Sequence, residues 1–246
     1  MDYKYFSVTN IGLKRLGNED SLGIYEIENG ILAIVCDGLG GNKAGDIASQ
    51  LSVNTVYEFF KSSAQNDYLE RINSAILEAN NSILHKAASS SDYNGMATTI
   101  EVLFLLDNTA YFGHVGDSRM YILRNGKLKQ LTKDHSLVQK LIDEGFLTVD
   151  EAEYHPNRNI IMRALGDNPS IEIDLNKISL NLYDDCLFFL CTDGVTTVVK
   201  DTELEEILSK SCYIKETLSE LINQRGAPDN FSFVCITKKK GLLDSI

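Results

Sequence analysis

Three short acidic motifs stand at the edges of apolar runs: Asp37-Gly38, Asp193-Gly194 and Asp229-Asn230. Ile31-Leu32-Ala33-Ile34-Val35-Cys36 leads into the first, and Leu187-Phe188-Phe189-Leu190-Cys191-Thr192 into the second. Phe231-Ser232-Phe233-Val234-Cys235-Ile236 leaves the third. Apolar runs of this length, rich in β-branched and aromatic residues, predict buried strands. Three strands distant in sequence then each carry a carboxylate at one end. Carboxylates gathered there repel one another unless a positive charge sits among them, and hard divalent cations with oxygen ligands meet that need. The pattern points to a metal-dependent hydrolase.

An Asp-Gly pair alone reads most simply as a hairpin turn. Asp37-Gly38 resists that reading, because Leu39-Gly40-Gly41-Asn42-Lys43-Ala44-Gly45 leads toward a helix and not a second strand. Glycines there let backbone groups approach an ion or phosphate closely. The segment is neither a P-loop nor a dinucleotide fingerprint, since both spacings fail. Zinc is disfavoured: His85, His114, His135 and His155 are scattered, and no cysteine pair completes a closed site. Oxygen-only ligation points to Mg²⁺ or Mn²⁺, and two such ions sharing a carboxylate suit phosphate-ester hydrolysis. Arg15, just ahead of Asn18-Glu19-Asp20, can clamp a phosphate if a metal site lies near, but alone it reads as a surface arginine beside acidic neighbours. Gly116-Asp117-Ser118-Arg119 alone is an ordinary turn.

The elements that must position these residues are predicted from periodicity. Residues 3–10, 21–28 and 31–36 read as strands, with Asn29-Gly30 as a tight turn. Two amphipathic helices follow, the second with Asp67 as its N-cap. Residues 98–106, 109–115, 119–124 and 127–130 read as a meander whose last hairpin turns at Asn125-Gly126. A short helix over 136–144 opens a polar excursion, and strands over 171–180 and 187–192 come next. Helices over 202–209 and 214–224 and a strand over 231–237 complete the order. Strand runs followed by helix pairs predict an α+β fold, with two antiparallel β-sheets forming a central sandwich flanked by helix pairs in four αββα layers.

The 246 residues are 43% hydrophobic, with 3 prolines and no Gly/Ser/Pro-rich linker, as expected of one domain over 1–246. A net charge of −12 disfavours nucleic acid and anionic membranes as partners. Five cysteines without C-x-x-C spacing fit a reducing compartment. The first residues lack a signal-peptide layout, and no stretch approaches the roughly 20 apolar residues of a transmembrane helix. A cytoplasmic monomer is expected.

The motifs are most specific as a set. Arg15-x-x-Asn18-Glu19-Asp20, Asp37-Gly38-Leu39-Gly40-Gly41, Gly116-Asp117-Ser118-Arg119, Thr192-Asp193-Gly194 and Asp229-Asn230 occur in that order. Met96-Ala97-Thr98-Thr99, Leu131-Thr132-Lys133-Asp134-His135-Ser136 and Arg163-Ala164-Leu165-Gly166 agree with them. Together they closely resemble the metal-dependent protein phosphatases, the type 2C serine/threonine family, in its compact bacterial form. The resemblance implies that Asp37 bridges two Mn²⁺ or Mg²⁺ ions, with the Gly38 carbonyl completing one and Asp193 and Asp229 holding the other. It implies that Glu19 acts through a water with Asp20 behind it, that Asp117 helps hold a weaker third ion, and that Arg15 binds the substrate phosphate. A water between the ions would then attack phosphorus in line. Phosphorylated proteins, a cognate Ser/Thr kinase among them, are the implied partners, and residues 145–165 resemble the family's flap.

The chain departs from the family pattern in four places. Leu39 and Asn42 stand where relatives carry histidines, Ala97 where glycine is usual, and Thr197 where an acidic residue is common. None is a predicted metal ligand. A binding module that had merely kept the fold would have lost an aspartate, and none is lost. A metal-dependent nuclease conflicts with the acidic charge balance. A phosphatase dedicated to one phosphorylated regulator is the rival within the fold.

Overall fold

The computed structural model describes residues 3–39, 44–180 and 186–237. Strands β1 (Lys4–Asn10), β2 (Ser21–Ile27), β3 (Gly30–Cys36) and the two-residue β4 (Gly38–Leu39) come first, then helices α1 (Gly45–Ser62) and α2 (Tyr68–Ala88). Strands β5 (Ala97–Thr98), β6 (Ile100–Leu106), β7 (Thr109–Val115), β8 (Arg119–Arg124) and β9 (Lys127–Gln130) form the meander. Helices α3 (Leu137–Asp143) and α4 (Val149–Glu153) precede strands β10 (Asp174–Ser179) and β11 (Cys186–Cys191). Helices α5 (Asp193–Thr196), α6 (Asp201–Lys210) and α7 (Ile214–Gln224) then lead to β12 (Phe231–Thr237).

The strands build two five-stranded antiparallel sheets, ordered β1-β12-β11-β8-β9 and β10-β7-β6-β3-β2, plus the small β4-β5 pair. Side-chain alternation explains the layers. In β3, Ile31, Ala33 and Val35 point into a core shared with Phe188, Leu190, Val234 and Ile236 of the other sheet. Leu32, Ile34 and Cys36 point the opposite way, onto Ala48, Val56, Ile72 and Ile76 of α1 and α2. The second sheet repeats the arrangement: Phe189 and Phe233 face Leu204, Leu208, Leu218 and Ile222 of α6 and α7. The expected αββα sandwich is therefore present. Asp67 caps α2 as expected, accepting from the amides of Leu69 and Glu70.

Three local expectations shift. The β2–β3 turn is Glu28-Asn29, at φ 52° and 63°, and Gly30 already pairs with Ile27. A Cβ on Gly30 would stand 2.6 Å from the Leu105 carbonyl oxygen, so this glycine admits β6 and does not make the turn. The strand over 98–106 is broken at Thr99, because Thr98 and Thr99 turn their hydrogen bonds to Asp37. The strand over 171–180 starts only at Asp174. Ile171 and Ile173 pack against the α1–α2 core without joining the ladder.

Candidate active site

Strand β3 ends by delivering Asp37, and its backbone is held from three directions. The Asp37 amide donates to Thr99 Oγ1 (2.9 Å), while its carbonyl accepts from Thr98 Oγ1 (2.8 Å) and the Thr99 amide (2.9 Å). Ser118 Oγ lies 2.8 Å from Thr99 Oγ1. This gives the Met96–Thr99 and Gly116–Arg119 stretches a physical job: their hydroxyls fix the Asp37 peptide. Gly38 follows, its amide donating to the Glu19 carbonyl at 3.1 Å.

Asp193 opens the single turn α5 immediately after β11, and Asp229 immediately precedes β12, the antiparallel neighbour of β11. A Cβ on Gly194 would overlap the carbonyl oxygen of Asn230, so only glycine lets these two corners close up. Asp20, next to the start of β2, is buried; its Oδ2 accepts the Thr192 hydroxyl at 2.9 Å. Arg15 Nη2 meets Asp229 Oδ2 at 2.6 Å. Asn230 ties the Arg15 segment to β12. Its Nδ2 donates to the carbonyls of Ile11 (2.8 Å) and Gly17 (2.9 Å), and its Oδ1 accepts the Glu19 amide at 2.9 Å.

These carboxylates feel one another. Burial pushes Asp37 well above the ordinary carboxylate range, and the charges of Asp193, Asp20 and Asp117 push it further. Asp193 is raised by burial and then by Asp229. Asp117 is pushed up to about 7 by burial, with Asp193 adding to it. Asp20 also reaches about 7 through burial, against hydrogen bonds from Ser232 and Thr192 that lower it. Glu19 is raised by burial, with Arg15 pulling the other way. Asp37, Asp193, Asp229, Asp20, Asp117 and Glu19 are thus linked by mutual charge effects, with Arg15 among them. Gly40, Gly41, Asn42 and Lys43 lie outside the described residues.

The donor set fits hard divalent ions. It is all oxygen, it is self-repelling, and Asp20 Oδ1 and Asp117 Oδ1 are buried without a hydrogen-bond partner. Among the described residues no group of three or more His, Cys, Asp or Glu side chains is drawn together closely enough to hold a metal ion by itself. Ions that keep part of their water shell need fewer direct protein ligands.

Segment 137–165 reaches the centre at its end, through Leu165. Isolated bridges pair Ser136 with Ile161 and Thr98 with Leu165, and the Met162 amide donates to the His135 carbonyl at 2.7 Å. Lys200, just after α5, reaches Glu153 of α4 at 3.1 Å. Arg119 grips Asp134 with two nitrogens at 2.9 and 2.7 Å, and its charge works against the upward shift of Asp117 and Asp193. Beneath lies a buried pair, His114 Nδ1 on Glu101 Oε1 at 2.5 Å.

Sequence reasoning assigned no role to Thr98, Thr99, Ser118 or Asn230. The only signal was their place inside or beside the acidic motifs.

A two-sheet sandwich with a helix pair outside each sheet, and a carboxylate centre at the strand ends, defines a class of phosphate-ester hydrolases. The protein phosphatase 2C family profile matches residues 14–227, and the chain belongs to that family. It is 36% identical over 238 residues to the serine/threonine phosphatase stp of Listeria monocytogenes, covering 94% of each chain. Its fold superposes on the serine/threonine phosphatase Stp1 from Staphylococcus aureus with a TM-score of 0.90 at 30% identity, covering 98% of this chain and 96% of that one. The catalytic domain of the phosphatase PstP, solved in complex with two manganese ions, matches with a TM-score of 0.85 at 32% identity, covering 96% and 97%.

Proposed function

We propose that this protein hydrolyses phosphoserine and phosphothreonine esters on proteins with two Mn²⁺ or Mg²⁺ ions held in the acidic centre. The observation that carries this is the convergence of Asp37, Asp193, Asp229, Asp20 and Asp117 into one mutually repelling set with unpartnered buried oxygens. Asp37 would serve both ions, the Gly38 carbonyl one of them, and Asp193 and Asp229 the other. Glu19 would act through a water, with Asp20 set behind it by Thr192, and Asp117 would help hold a weaker third ion. Ions bound there would supply a positive field for a dianionic phosphate and an activated water for in-line attack.

The side chains do the rest. Arg15 is within reach of Asp229 and exposed toward solvent, so its guanidinium can exchange that carboxylate for a substrate phosphate. Thr98, Thr99 and Ser118 keep the Asp37 peptide fixed while the charge above it changes. Leu39 carries no proton, so no protein acid stands at that position.

Residues 1–246 act as one catalytic domain, with 145–165 as a flap that tunes access. The substrates include proteins phosphorylated by a cognate Ser/Thr kinase, a reading supported by the Leu131–Ser136 stretch and the flap-like segment beside the site. No described helix is long and apolar enough to cross a membrane. None of the five cysteines is in a disulfide and four of them are buried, which supports a reducing, cytoplasmic setting; a monomer is the simplest assembly.

Hydrolysis of p-nitrophenyl phosphate by purified protein, with millimolar-range Mn²⁺ and then EDTA, tests the proposal. Turnover that requires the metal is expected. No turnover from folded protein in either condition would sink it.

A further inference from the structure

Large exposed apolar side chains are not scattered over this molecule. Of the ten among the described residues, three lie in segment 11–16 and five in segment 146–162. The first segment borders the acidic centre through Arg15 and Asn230, and the second runs up to Leu165, which bridges Thr98. Apolar groups concentrated around a site mark a surface that meets a partner.

The first segment is the sharper case. Leu16 is fully exposed and Leu13 is 62% exposed, on either side of the arginine assigned to the phosphate. Their backbone is not loose. The Leu13 amide donates to the Ala227 carbonyl at 3.0 Å, and Asn230 Nδ2 holds the carbonyls of Ile11 and Gly17. A pinned loop that presents bare leucines has the ordering cost of binding already met in its fold.

Resting on the phosphatase reading above, we propose that Leu13 and Leu16 are specificity-determining residues. They form an apolar lip beside Arg15, on which the residue next to the substrate's phosphoserine or phosphothreonine packs. The protein therefore prefers phosphorylation sites flanked by an apolar side chain. The scale agrees. Leu16 is joined directly to Arg15, about 3.8 Å away between Cα atoms, and an extended peptide advances roughly 3.3 Å per residue. An acidic neighbour would instead meet an apolar surface on a protein of net charge −12.

The test uses phosphothreonine peptides of one scaffold, with Leu, Gly or Asp on either side of the phosphoresidue, assayed in Mn²⁺. The readout is kcat/KM for each peptide relative to p-nitrophenyl phosphate. The native protein is expected to favour Leu over Asp by about ten-fold, the discrimination a small apolar contact gives. Leu16→Asp should remove that preference, and Leu16→Ala should reduce it. Circular dichroism checks that each variant is folded. Equal rates on all peptides, with p-nitrophenyl phosphate turned over normally, would overturn the inference and leave the phosphatase reading standing. A dimer dispersed by Leu16→Asp, with no peptide preference, would also overturn it and assign the lip to a second copy. Failure on every substrate would overturn the phosphatase reading and this one with it.

Discussion

The Glu19 amide donates to Asn230 Oδ1 at 2.9 Å, joining residues 211 positions apart in sequence. The same Asn230 side chain holds Ile11 and Gly17 through its amide nitrogen. One buried side chain therefore sets the position of both Arg15 and Glu19 relative to Asp229.

Replacing Asn230 with Ala removes three hydrogen bonds from groups the fold has largely taken out of water. A stability loss of about 1–3 kcal/mol is expected by denaturant titration. Activity should suffer more, with the Mn²⁺ requirement rising about 10–100-fold, as for residues that orient ligands. A variant with a native metal requirement would show that Asn230 holds only the chain.

Asp193→Asn separates catalysis from stability. Without metal, Asp193 is one of the charges that raise Asp37, so its loss relieves repulsion. In EDTA at pH 8 the variant should melt above the native protein, while metal-dependent hydrolysis disappears. A variant that melts lower in EDTA would contradict the repulsion, and full activity would overturn the site assignment.

Arg15→Ala should raise KM for phosphopeptides more than it lowers kcat, because it removes mainly ground-state phosphate binding. Steady-state kinetics on one phosphopeptide decide this, and an unchanged KM excludes the role.

The buried Glu101–His114 pair gives a pH dependence. Burial raises Glu101 to about 7, and Glu101 raises His114 against the lowering effect of its burial. Both groups hold protons more tightly folded than unfolded. Their contribution is complete below the ordinary carboxylate value and is lost as pH climbs toward and past 7. Glu101→Gln should flatten the fall of thermal stability between pH 5 and pH 8. An unaltered slope would place the titration elsewhere.

Much of this arrangement was legible in the residues. Period-2 alternation and Asn125-Gly126 placed the β8–β9 hairpin residue for residue, with φ 52° and 73° at its turn. The acidic motifs singled out Asp37, Asp193 and Asp229 as a set, because carboxylates at three strand ends repel one another unless a cation sits among them. The one-turn helix α5 and the short α4 left no trace, since a single turn is too short for periodicity to register. Asn29-Gly30 misled by one residue because glycine was wanted for packing against Leu105, a tertiary demand. The hydroxyls of Thr98, Thr99 and Ser118 were invisible for the same reason: what they hold is the backbone of a residue on another strand.

Strand β1 pairs with β12 along its whole length, from Lys4 opposite Thr237 to Asn10 opposite Phe231. This sets an order of events in the life of the polypeptide. Asp37 and Asp117 are synthesised early, yet Asp229 and the Asn230 anchor arrive only with the last strand. Such long-range pairing folds slowly. Until Phe231–Thr237 has been made, a nascent chain holds β1 without this partner and the acidic centre without Asp229. Hydrolysis would begin only when the first strand has found the last, so activity would time the completion of folding.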